Sequence, residues 1–152
     1  MILVSLMFKN LVNIFRSKHQ EAKENNHNLQ KICYLIYEII SADHIIDDME
    51  IELTAKRLDD FFQYKKDEST TLLNKLKNDN FFNANLAGIT QDLKKSLSYD
   101  QRIKIIQICW EVLLVDNNED ILETATARKI GILLGIEDHD YISIRNIIKN
   151  SQ

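Results

Sequence analysis

Two short stretches of this 152-residue chain concentrate carboxylate oxygens. The first, YEIISADHIIDDME over residues 37–50, aligns with the second, WEVLLVDNNEDILE over residues 110–123, at an offset of 73. Acids match at Glu38 and Glu111, Asp43 and Asp116, Asp47 and Asp120, and Glu50 and Glu123. Hard oxygen ligands suit Ca²⁺, Mg²⁺ or Mn²⁺. If the two stretches meet, Asp43, Asp47, Asp116 and Asp120 are a candidate metal-ligand set. Glu38 and Glu111 precede their corners by just over one helical turn and can face the same cleft. The spacing is not that of an EF-hand loop, which needs ligands at alternate positions and a glutamate at the twelfth.

The same acids have a purely structural use. Asp47 with Glu50, and Asp120 with Glu123, have the spacing of a capping box, in which the first side chain accepts from an early helical N–H and the second reaches back. Acids there also suit the positive end of the helix dipole. Asp43 and Asp116 can each close an Asx-turn after the preceding helix. The residues alone leave both uses open.

Other chemistry is thinly represented. His19, His27, His44 and His139 show no metal-ligand spacing. Cys33 and Cys109 sit among apolar residues with no close Cys or His, which predicts buried free thiols in a reducing cytosol rather than a zinc site or a nucleophile. No phosphate-binding loop, dinucleotide fingerprint or nucleophile elbow is present. A net charge of −4 and a pI near 5.6 argue against a nucleic-acid partner. The expectation is a protein that is not an enzyme.

The elements that must position the acids are helices. The chain has no proline and only three glycines, too few breakers for a turn-rich β fold. Helical spacing predicts helices over residues 29–42, 48–62, 67–76 and 86–97. A box of Ser98 and Gln101 opens the next, which carries Ile103, Ile106, Cys109, Trp110 and Leu113. Another runs over 121–134, with Gly135 suited to its C-terminal turn, and Asp138 is placed to cap a last helix ending near Ile148. Phe81 and Phe82 read as core.

Near the start, Val4, Met7, Phe8, Leu11, Ile14 and Phe15 fall on one helical face. Its apolar run is too short to span a bilayer, and no signal-peptide pattern is expected. Three roles stay open for it: docking on the core, lying on a membrane surface, or filling a partner's groove. The polar stretch 17–28 reads as a mobile linker. The expectation is therefore an all-α chain of about eight helices, with residues 1–28 as amphipathic helix and linker and residues 29–152 as one helical domain.

The repeat extends past the acids. At an offset of 72, Thr54-Ala55-Lys56-Arg57-Leu58 aligns with Thr126-Ala127-Arg128-Lys129-Ile130, and Phe61-Phe62 with Leu133-Leu134. Two helix–corner–helix units of approximate symmetry are expected.

An A-D-G-x-[IL]-D-x-x-E corner used twice, with L-W-x-V before the second, resembles the TerB-like proteins. Here the corners read ADHIIDDME from Ala42 to Glu50 and VDNNEDILE from Val115 to Glu123. Ile108-Cys109-Trp110-Glu111-Val112 matches the aromatic approach, and Leu133-Leu134-Gly135-Ile136 the L-L-G-[VI] ending. The chain departs from the pattern at the corner glycines, replaced by His44 and Asn117, and at Glu119, where the family has an apolar residue. The resemblance, spanning about 29–148, implies an all-helical domain associated with tellurite resistance and stress response. Related domains occur in membrane-anchored DnaJ-like co-chaperones. It implies a divalent-cation role for the acidic corners and no catalytic reaction. The function expected is a scaffold or adaptor binding a protein partner in the cytoplasm, with peripheral contact to the inner membrane through residues 1–18. A divalent-cation-binding module is the alternative.

Overall fold

The computed structural model describes residues 2–43, 45–79, 85–116 and 118–151. His44, Asn117 and the pair Phe81 and Phe82 lie outside the described residues. Among those described, all regular structure is helical: α1 (Ile2–Ile40), α2 (Asp48–Phe62), α3 (Lys66–Asp79), α4 (Leu86–Ser96), α5 (Tyr99–Leu113), α6 (Ile121–Leu133) and α7 (Asp138–Asn150).

Seven described helices stand where about eight are expected, because the first two are one. The stretch 17–28, expected to be a linker, is continuous helix inside the 39-residue α1. Its Lys, Gln, Glu and Ala residues are strong helix formers, and its asparagines cost only a few tenths of a kcal/mol each. With a helix on either side, propagation through the polar stretch avoids a second nucleation. The arm this creates does not dock on the core. Apart from the half-buried Val12, its large apolar residues are exposed, among them Ile2 at 87% and Phe15 at 66%.

From Asn28 onward the same helix becomes the centre of the body. Leu29, Ile32, Cys33, Leu35, Ile36, Ile39 and Ile40 are all buried, with α3, α4, α5 and α6 packed around them. The second central helix is α5, through Ile105, Ile106, Ile108, Cys109, Trp110, Val112 and Leu113. Trp110 is fully buried, meets the Tyr141 ring edge-on at 6.0 Å and carries the Arg145 guanidinium over its face. Gly131 lets α6 and α7 approach, since a Cβ there would stand 2.9 Å from Tyr141. The packing is reciprocal: α6 lies on α1, and α2 lies on α5.

The helix ends follow capping rules in most places. Ser98 and Gln101 form the expected box. Gly135 takes φ +71° just past α6. Gln63 closes α2 at φ 57°, its N–H bonded to the Asp59 carbonyl. The expected cap of α7 is displaced by one residue. Glu137 holds the N-cap position without a side-chain bond, and Asp138 is the first helical residue, paired instead with Arg128.

Candidate functional site: the paired acidic corners

Each corner begins where a central helix runs out. In the first, the Ile45 N–H donates to Asp43 Oδ1 at 2.9 Å, closing the expected Asx-turn. Asp47 then takes extended backbone angles and accepts from the Met49 N–H at 3.0 Å. Glu50 completes the capping box, accepting the Asp47 N–H at 3.1 Å. In the second corner, the Asn118 N–H donates to Asp116 at 3.0 Å. Asp120 accepts from Leu122 and Glu123, at 2.8 and 2.9 Å. The return bond of the box is missing: among the described residues no donor reaches the Glu123 carboxylate.

Both glutamates are buried, Glu50 at 6% and Glu123 at 3% exposure. Burial pushes the Glu50 carboxyl up to about 7. The Asp47 N–H opposes this, and Asp43, Asp47 and Asp116 add to it. Burial pushes Glu123 to about 8, reinforced by Glu50, Asp43, Asp120 and Asp116. Acids of each corner therefore act on the glutamate of the other, so the two corners share one field. Desolvation dominates because a carboxylate loses its water while gaining few donors.

The other sequence candidates are engaged elsewhere. Glu38 accepts from the Tyr34 hydroxyl one turn back. Glu111 pairs with Arg57, tying α5 to α2, and accepts from Gln107. Glu119, which stands where the family pattern has an apolar residue, pairs with Lys149 at 2.6 Å and Arg145 at 3.8 Å, tying the second corner to α7. Asp48 makes a comparable tie to Lys77 of α3 at 3.2 Å.

Sequence reasoning treats Glu50 and Glu123 as caps only and misses that they are the most buried acids of the site. A signal for it exists. Glu123 lies on the stripe of Ala127, Ile130 and Leu134, and Glu50 on that of Thr54 and Leu58, all buried. Helical spacing carries both carboxyls onto the core face.

The donor chemistry of the corners fits a divalent cation, but the spacing does not. Among the described residues, no three corner carboxylates bring oxygens within 4.8 Å of one another. The group that meets this distance is Glu137, His139 and Asp140 at the start of α7. There His139 lies 3.5 Å from Glu137 and 3.2 Å from Asp140, and Asp140 accepts the Tyr99 hydroxyl at 2.5 Å. Cys33 and Cys109 are buried and free, and burial pushes both thiols up to about 12, far from a reactive thiolate. No described helix is long and apolar enough to cross a membrane.

No curated protein and no solved structure matches the chain. A family model described as Tellurite resistance protein TerB matches residues 29–146, from the first buried turn of α1 into α7. The match takes in both acidic corners and nearly all of the helical body: the chain belongs to the TerB family.

Proposed function

We propose that this TerB-family chain is a non-catalytic adaptor in tellurite-resistance and stress systems. It holds its helical body at a surface on which the α1 arm docks, and binds a protein partner there. The site of action is the cytoplasm, at the periphery of the inner membrane. The carrying observation is the exposed apolar stripe of the arm. A row that includes Leu3, Met7, Phe8, Leu11 and Phe15, each more than half exposed, is a contiguous apolar face that monomeric proteins rarely leave bare. A photo-crosslinking residue in place of Phe8, in cells, tests the reading. A discrete adduct that disappears with Leu11→Ser and Phe15→Ser is the expected result. Recovery of the uncrosslinked chain alone sinks the adaptor.

A second reading is a divalent-cation module, and one observation favours it. Glu50 and Glu123 are buried in a field of like charge that an ion would neutralise. Binding Ca²⁺, Mg²⁺ or Mn²⁺ requires the corner oxygens to draw together, so it should register as stabilisation. Calorimetric titration and melting curves at millimolar ion test it. Absence of heat and an unchanged Tm for all three ions dispose of it. We read the units α1–α2 and α5–α6 as pseudo-symmetric repeats. The matched Asx-turns and N-caps support this, and the shared field follows from it.

A further inference from the structure

We propose that the surface which receives the arm is an anionic lipid bilayer, and that the arm anchors the chain by sinking its N-terminal end into one leaflet. The inference rests on the reading of α1 as a docking element and names the partner's chemistry.

Three observations carry it. The first is the distribution of apolar side chains. Residues 2–8 are apolar save for Ser5, so the tip is apolar on nearly every side, whereas from Lys9 to Phe15 the apolar residues keep to one side. A helix that is apolar nearly all round over residues 2–8 and amphipathic over the next turns is suited to enter an apolar medium with the first stretch and lie at the interface with the second. The second is charge. Residues 1–20 hold Lys9, Arg16 and Lys18 with no Asp or Glu, a net +3 in a chain of net −4, which leaves −7 for the remainder. A basic segment next to an apolar tip is complementary to an anionic headgroup layer, and each such charge adds to the attraction near that surface. An acidic body is repelled from the same layer. The third observation meets that repulsion. Exposed helix continues past Lys18 to His27, so roughly 15 Å of polar helix separates Lys18, the last of these three basic residues, from the first buried residue of the body, Asn28. That exceeds the screening length of about 8 Å at physiological salt.

The competing occupants fit less well. The apolar stretch from Ile2 to Phe15 covers roughly 21 Å as a helix, short of the roughly 30 Å of a bilayer's hydrocarbon core, and no described helix is long and apolar enough to cross a membrane, which favours insertion into one leaflet. A second copy of the arm would bring two +3 segments together, and the apolar arc is broader than the narrow seam of a coiled coil.

The test uses the full chain with vesicles of phosphatidylcholine alone and of phosphatidylcholine mixed equally with phosphatidylglycerol, read by co-sedimentation. Binding to the mixed vesicles at least about tenfold tighter than to neutral ones, weakened by added salt, is expected. Lys9→Gln, Arg16→Gln and Lys18→Gln together should cost about a hundredfold on mixed vesicles. Leu3→Ser, Phe8→Ser and Phe15→Ser together should abolish binding to both. All six positions are exposed, and circular dichroism of each variant verifies that the helical body is kept. Equal binding to both vesicle types overturns the anionic partner. No binding to either overturns the membrane anchor, as does arm-dependent self-association in sedimentation velocity that persists when vesicles are added. A protein adduct in the cellular crosslinking experiment, together with no vesicle binding, removes the lipid and leaves the adaptor standing.

Discussion

The two corners carry the same acids at the same spacing, yet they complete different structures. In the first, Asp47 and Glu50 close a full capping box. In the second, Asp120 takes two N–H groups by itself, and Glu123 is left buried without a donor among the described residues. The register position between Asx-turn and cap diverges as well: Ile46 packs on the core in the first corner, while Glu119 holds Lys149 and Arg145 in the second. Even the aromatic that leads into each corner differs, Tyr37 in one and the larger Trp110 in the other. A D-x-x-E spacing thus specifies where a helix starts. What its glutamate does is decided by how many donors the cap leaves over.

The largest expected difference lies in those aromatics. Trp110→Ala should cost about 4 kcal/mol and Tyr37→Ala about 3, because the indole fills more volume and also supports Tyr141 and Arg145. Urea unfolding at neutral pH measures both, and a larger loss for Tyr37 would reverse the ranking of the two units.

Next comes proton linkage. Both glutamates lie above their ordinary value of 4.5, so the folded chain keeps protons that the unfolded chain has released. Stability is therefore fully present below about pH 4.5 and falls as pH rises through 7 and 8. Glu123→Gln should raise stability at pH 8 by on the order of 2 kcal/mol and change little near pH 5. Glu50→Gln should gain about half as much or less, since Glu50 already has a backbone donor to offset its burial. Unfolding curves across this range decide it, and identical gains would mean that the missing box bond has no energetic consequence.

The smallest expected effect is at the divergent register position. Ile46→Ala should cost about 1 kcal/mol at any ionic strength, as a half-buried apolar contact. Glu119→Ala should cost about 0.5 kcal/mol in dilute buffer and nothing measurable in molar salt. Salt-independence of the Glu119 loss would show that this position also acts by packing.

Much of this was legible in the residues. Helical spacing places the seven described helical segments of the body, the second half of α1 and α2 to α7, and Ser98 with Gln101, Asp47 with Glu50, and Gly135 mark helix ends because capping is local chemistry. The membership in the TerB family was readable from the two corners and the Trp110 approach. Three features were not. The helicity of residues 17–28 has no apolar stripe to mark it; it follows from strong helix formers and from the helices at either side. The exposure of the arm depends on where the tertiary fold places it, which helical spacing alone does not give. The engagement of Glu38 by Tyr34 and of Glu111 by Arg57 depends on rotamers and on the crossing of α2 over α5. The burial of Glu50 and Glu123 lay between: the stripe on which they sit was visible, but the capping motif masked it.

One helix joins the tip of the arm to the threshold of the first corner. Ile2 and Ile40 are the ends of a single 39-residue rod, roughly 58 Å long. Mechanically this is a lever and not a tether. A tether would let the body tumble freely; a lever passes torque along its length. A swing of about 10° at one end displaces the other by about 10 Å. Whatever grips Phe8 therefore also sets the attitude of Asp43, and with it the direction in which the acidic corners face.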